Sequence, residues 1–145
     1  MKTLYTEWQL WAVASACFAA LTAIFGKVGV EAIDSNYATL IRTALILAMI
    51  SVIAVATGTI QPLSSISART WIFLALSAAA TGASWLCYYR ALKLGPASGV
   101  APIDKLSVVL VAVFSVACLG ERLDAKNWLG IAMIAGGAVL VAMRT

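Results

Sequence analysis

Residues 37–57 read YATLIRTALILAMISVIAVAT, an apolar run in which Arg42 is the single charge. The hydrocarbon layer of a bilayer is about 30 Å thick and a helix rises about 1.5 Å per residue, so roughly 20 mainly apolar residues cross it. This run is long enough to do so. A polar turn containing Glu31, Asp34, Ser35 and Asn36 precedes it, and Gly58 follows. Working outward, the same reading places helices over Trp8–Val28, Thr70–Leu92, Ser98–Leu119 and Lys126–Met143. Their separators are segments that stop helices: Gly29, the loop Thr59–Ala68 with Pro62, Gly95-Pro96, and Gly120 through Asp124. Proline cannot continue a helix and restricts the residue before it. Apolar residues make up 63% of the chain and charged residues 11%, where soluble domains carry about a quarter charged residues. The expected fold is an all-α integral membrane protein with five transmembrane helices, in one domain over residues 1–145.

Composition also excludes several functions. The net charge is +4, but the basic residues flank apolar runs instead of clustering on a polar face, so nucleic acid is not an expected partner. The absence of histidine removes imidazole metal sites and His proton relays. Cys17, Cys87 and Cys118 lack metal-ligand spacing and read as small buried hydrophobes. No nucleophile is paired with a base, no carboxylates pair at helical spacing, and no glycine-rich loop suits phosphate. No enzyme activity and no cofactor are expected. Lys2 precedes an apolar run, as in a signal peptide. That run, Trp8–Phe25, exceeds the roughly 7–15 residues of a signal core, and the helix is expected to be retained.

Five spans put the two termini on opposite sides. On the N-terminal side, side A, lie Lys2, Arg69, Arg122 and Lys126, and on side B lie Lys27, Arg90, Lys93 and Arg144. Flanking Lys and Arg set orientation, and four against four gives no direction. The tie fits either chance or insertion in both orientations. An odd-span unit without charge bias can pair with an inverted copy of itself, the symmetry many secondary transporters build by inverted repeats. Tyr5, Trp8, Trp11, Trp71 and Trp128 form an aromatic belt on side A, and Tyr37, Tyr88 and Tyr89 one near side B. Trp85 lies well inside its span and is either a core filler or a cavity wall.

Polar residues within spans are costly and mark function or interhelical bonding. On the third helix Ser77, Thr81, Ser84 and Tyr88 form one stripe, and on the fourth Asp104, Ser107, Ser115 and Cys118 do, with Val111 between. The first helix is weaker, with Ser15 and Thr22 among Trp11, Phe18 and Phe25. Helices one, three and four are therefore better candidates to line a polar cavity than two and five. Arg42 enters about 8 Å along its helix from Tyr37, and Asp104 and Lys105 reach similar depth from side B. Gly99 and Pro102 weaken the fourth helix there, a pointer to a transporter's binding region. Neighbouring helical residues point about 100° apart, so Asp104 continues the polar stripe while Lys105 follows an apolar face and snorkels outward. Asp104 serves either a substrate or proton role or a structural pair with Arg42, and the two are compatible. The candidate pathway residues are Asp104, Arg42, Lys105, Ser84, Thr81, Tyr88, Trp85, Ser15 and Ser107. Small residues at four-residue spacing, Ala12–Ala16–Ala20, Ala75–Ala79–Ala83 and Ala132–Gly136, predict close helix packing.

Several stretches together resemble one family. They are Tyr89-Arg90-Ala91-Leu92-Lys93-Leu94-Gly95-Pro96-Ala97-Ser98, Leu119-Gly120-Glu121-Arg122-Leu123, Trp128-Leu129-Gly130 with Gly136-Gly137, and Thr22-Ala23-Ile24-Phe25-Gly26-Lys27. In this order and spacing the chain resembles the EamA family of the drug/metabolite transporter superfamily, in its half-size, five-helix form. Most members look like two such units fused with the copies inverted, and many are uncharged where this chain has Asp104-Lys105. The resemblance implies half of an inverted-repeat transporter fold, ten helices around a central cavity, and export or exchange of small metabolites without ATP or a bound cofactor. The small multidrug resistance proteins, four-helix relatives, carry a membrane glutamate in the first helix. Glu7 lies before Trp8 at the membrane surface, so that role does not carry over. The function expected is secondary transport of a small polar or amphipathic solute by alternating access, as an antiparallel homodimer in contact with membrane lipid. The expected location is the plasma (inner) membrane of a prokaryote, crossed several times. The alternatives are a flippase subunit for a lipid-linked headgroup and a non-transporting membrane partner protein.

Overall fold

The computed structural model of the protein describes residues 7–143. Its helices are α1 (Glu7–Glu31), α2 (Ser35–Ala56), α3 (Ala68–Leu94), α4 (Ala97–Asp104), α5 (Ser107–Phe114) and α6 (Ala125–Ala142). A 3₁₀ turn at Leu63–Ser65 lies between α2 and α3, and a π turn at Ser115–Leu119 extends α5. Five helical segments are long and apolar enough to cross a membrane, the fourth being the composite of α4, α5 and the π turn. The protein is an all-α, multi-pass membrane protein. Lys2, Tyr5 and Arg144, which enter the belt and charge arguments, lie outside the described residues.

Helix ends follow local chemistry. Asp34 caps α2: its carboxylate accepts the N–H of Asn36 at 2.8 Å and of Tyr37 at 3.2 Å, satisfying donors that a helix start leaves open. The Tyr37 and Asn36 N–H groups hold the Asp34 carboxyl below its ordinary range, with smaller help from Lys93 and Arg90. Asp124 caps α6 by accepting the Asn127 N–H, and the Ser67 hydroxyl accepts the Thr70 N–H at the start of α3. Gly58 after α2 and Gly120 after the π turn have φ of 64° and 70°. Only glycine takes this left-handed conformation without strain. Pro96 precedes α4, so Gly95-Pro96 separates α3 from α4 as its sequence requires.

The chain forms two compact units, one of Gly29–Lys93, the other of the residues up to Val28 and from Leu94 onward. In the Gly29–Lys93 unit the buried side chains gather at one end. Val30, Ser35, Ala38 and Thr39 come from the α1–α2 corner, and Tyr89 and Leu92 from the close of α3. The Lys93 ammonium donates to the Ile33 carbonyl and ties α3 to that corner. Toward the other end the helices are uncovered. Trp71, Ile72, Phe73 and Leu74 are all exposed, and four consecutive residues span a full helical turn. An apolar helix bare on every side belongs in lipid or against another membrane helix.

In the other unit α4 and α5 pack on α6. Ala138 is buried and Ile131, Ala135 and Ala142 are half-buried, which marks one stripe of α6, while Gly99, Ala112 and Ser115 are buried on the fourth span. The small residues expected to pack closely lie elsewhere. Ala12, Ala16, Ala20, Ala75, Ala79, Ala83, Ala132 and Gly136 are all exposed, and a Cβ added at Gly136 would meet open space. Two further expectations are corrected. Cys17, Cys87 and Cys118 are exposed, not buried, because their helix faces remain uncovered within the chain. Tyr89 is 5% exposed and forms no belt, since its ring is drawn into the corner where α2 and α3 meet.

Candidate functional site

Arg42 and Trp85 form the centre of the Gly29–Lys93 unit's polar chemistry. Arg42 projects from α2 so that its guanidinium carbon lies 4.2 Å from the centroid of the Trp85 ring and 5.4 Å from that of Tyr89. Trp85 and Tyr89 are four residues apart on α3 and so share one face. Together they give the cation two aromatic surfaces, whose negative quadrupoles offset part of the cost of desolvating it. Tyr88 meets Tyr89 edge-on, with ring centroids 6.3 Å apart and planes at 64°. This edge contact restrains the buried Tyr89 ring. Arg42 is half-buried, and among the described residues its guanidinium has no hydrogen-bond or carboxylate partner.

From Trp85 a cleft of about 370 Å³ runs along α3, lined by Thr43 of α2 and by Leu74, Ser77, Ala78, Thr81, Gly82 and Trp85 of α3. Ala78 and Gly82 leave room because they carry little or no side chain. The hydroxyls differ by position. Thr39 and Thr43 each bond the carbonyl one turn back, at 2.8 and 2.7 Å, the usual resting place of a helical threonine. Among the described residues Ser77 and Thr81 make no such bond and remain open to the cleft.

The structure thus places Trp85 against Arg42 and, with Thr81, in the lining of the cleft. Ser84 and Tyr88 do not line that cleft, although they continue the Ser77–Thr81 stripe. The sequence ranked α2 below other helices, yet Arg42 and Thr43 supply one side of the site. Tyr89 was missed as a site residue. The signal for it was its place one turn beyond Trp85, on the face that a membrane-buried arginine would seek.

Asp104, Lys105, Ser107 and Ser15 belong to the other unit. α4 stops at Asp104, and the chain tightens into three-residue bonds there: Leu106 N–H to Ile103 O at 3.0 Å, then Val108 N–H to Lys105 O at 3.0 Å. Lys105 does not diverge from Asp104 as expected. Its ammonium lies 3.5 Å from the Asp104 carboxylate, with side-chain exposures of 56% for Lys105 and 37% for Asp104. Beyond the end of the helix its flexible stem is free to bend back despite the 100° between neighbours. The fourth-span stripe does not present one face. Ser107, Val111 and Cys118 are exposed while Ser115 is buried and donates to the Ala112 carbonyl at 3.2 Å. The break at Lys105–Leu106 and the π turn each shift the angular register that a continuous helix would keep. Ser15 is exposed on α1.

A chain of apolar spans with an open cleft bearing the Ser77 and Thr81 hydroxyls, and with a helix interrupted beside a carboxylate, has features of membrane transport proteins. The sequence comparisons agree. The pattern of the EamA-like transporter family matches residues 6–143, and the protein belongs to that family. A Sinorhizobium sp protein described as an "Uncharacterized transporter in cobO 3'region" is 62% identical over 137 residues, covering 94% of this chain and 97% of the relative. No solved structure matches the chain. Family and relative together point to a transporter role.

Proposed function

We propose that the protein is a secondary transporter that exports or exchanges a small polar or amphipathic metabolite by alternating access. It works as an antiparallel homodimer in the plasma membrane of a prokaryote. The observation that carries this reading is the α2–α3 cleft, where Ser77 and Thr81 keep hydrogen-bonding capacity among mainly apolar walls, with Arg42 stacked on the Trp85 ring that borders it. Idle polar groups at membrane depth are costly, and a solute that occupies them during the cycle offsets that cost. In this reading the chain is one five-helix domain, half of an inverted-repeat transporter, and a second, inverted copy completes the cavity. The exposed Ala75–Ala79–Ala83 and Ala132–Gly136 stripes support a helical partner outside the chain, because small residues permit close approach of helices. Asp104, Lys105 and Ser107 at the α4–α5 break act as a gate near each membrane face, and Ser15, Ser84 and Tyr88 line the route between them. No cofactor and no covalent chemistry are required. The test is uptake by liposomes containing only the purified protein, with solutes chosen because they raise its melting temperature. Saturable uptake above that of empty liposomes is expected. Uptake that needs a second protein, or that occurs only for a long-chain lipid, would contradict the reading.

A further inference from the structure

We propose that Arg42, held on the Trp85 and Tyr89 rings, is an oxyanion-binding site, so that the cargo is an organic anion. Its carboxylate or phosphate docks on Arg42 and its remainder lies along the Thr81–Ser77 cleft. This inference rests on the transporter reading for the word cargo, but the site itself stands on geometry alone.

Arginine stays charged at any accessible pH and carries five N–H donors in a planar fork. Stacking on Trp85 at 4.2 Å and reaching toward Tyr89 at 5.4 Å engages the face of such a group. Its edge, where the N–H bonds point, is left for another partner. Among the described residues no acceptor takes that edge. Arg42 sits seven residues into α2, about 10 Å along the helix axis, and is half-buried. A carboxylate or phosphate is the chemistry that fits a free guanidinium edge, through two parallel charge-assisted bonds. Lysine would not serve equally, because it is a point charge without the fork.

The surroundings select what is attached to the oxyanion. Trp85 is shared between the arginine stack and the cleft lining, so an anion on Arg42 lies beside the ring that borders the cleft. Beyond Trp85 the lining alternates between the unbonded hydroxyls of Thr81 and Ser77 and the small or apolar Gly82, Ala78 and Leu74. A ligand with a compact apolar or aromatic body and one or two polar groups suits that lining. Binding a monoanion also cancels the Arg42 charge, which lowers the barrier to moving the loaded site through the membrane.

The experiment measures melting temperature and tryptophan fluorescence of the purified full chain in detergent, against a matched set of probes. The set is phenylacetate, phenyl phosphate, phenethylamine, 2-phenylethanol and a short-chain phosphatidic acid. Stabilisation by the anions, and not by the amine or alcohol, is expected. Phenylacetate or phenyl phosphate acting identifies a soluble anion as the source. Phosphatidic acid acting alone identifies a lipid headgroup, and either result supports an oxyanion site. Arg42→Gln should abolish the anion preference. Arg42→Lys, which keeps the charge and guards against a variant that fails to fold, should weaken anion binding by about tenfold or more, the loss expected for one charged hydrogen bond. Stabilisation by none of the probes, equal stabilisation by the amine or alcohol, or an anion preference that survives Arg42→Gln overturns the proposal. Anion binding without uptake by liposomes would instead remove the transporter reading and leave the site in place.

Discussion

Arg42 shows how one residue can be costly and still be kept. Its charge lies within an apolar span, and Trp85 and Tyr89 supply the aromatic faces that make it tolerable. Asp104 is the complementary case, with its carboxylate at the end of α4 beside Lys105. If its charge serves the transport cycle, Asp104→Asn should leave the protein folded while slowing transport strongly. The structural alternative, a pair with Lys105 as the structure places it, expects Asp104→Asn to destabilise and the double variant with Lys105→Gln to restore both stability and transport. Restored transport in the double variant would show that the charge is scaffolding. Asp34, outside the spans, gives a pH prediction. Its carboxyl is held below the ordinary value of 3.8 by the Tyr37 and Asn36 N–H groups. A depressed folded-state value adds stability above the unfolded value, and that stability is lost as pH falls through the folded one. Asn caps a helix as well as Asp but does not titrate. The melting temperature of the wild type should therefore fall relative to Asp34→Asn between about pH 5 and pH 3. Parallel curves for the two proteins would show that the cap carries no such linkage.

At the scale of elements, the number and order of the spans were legible because each is an apolar run closed by glycine, proline or a capping carboxylate. The observed ends fall within a few residues of the expected ones, as for Ser35–Ala56 against 37–57. The interruption of the fourth span was legible only as weakness at Gly99 and Pro102. The break itself falls later, at Lys105–Leu106. The π turn at Ser115–Leu119 left no trace in the apolar pattern, because every residue from Val116 to Leu119 suits a continuous helix equally well. It shifts the residues after Ser115, so Cys118 does not keep the register with Ser115 that a continuous helix would give. Packing faces were the least legible. Alanine spacing predicts that close approach is possible, and it cannot say against what. On α6 the inward stripe runs through Ala135 and Ala138, while Ala132 and Gly136 face outward. A Cβ at Gly136 meets nothing within 4 Å, so Gly136→Leu should cost the lone chain little. If a second copy packs there, the substitution should lower the dimer fraction in detergent by light scattering without lowering secondary structure. An unchanged dimer fraction would place the interface on another helix.

For the whole molecule, exposure of apolar side chains along α2 and α3 leaves those faces to the bilayer or to another membrane helix. The balance of Lys27, Arg90 and Lys93 against Arg69, Arg122 and Lys126, completed by Arg144 and Lys2, gives the positive-inside rule no direction to act on. A cysteine replacing Arg144 should accordingly label from both sides of the membrane in comparable amounts, and labelling from one side alone would rule out dual insertion. The proposed transport, movement of a small solute through the site at Arg42 without ATP or a partner protein, is narrower than topology. Its most direct test is counterflow into liposomes containing only this protein, using the soluble anion that stabilises it best. The wild type should show saturable uptake that Arg42→Gln, equally well inserted, reduces to the level of empty liposomes. Uptake by the wild type no greater than that of empty liposomes, or undiminished uptake by Arg42→Gln, would contradict the account.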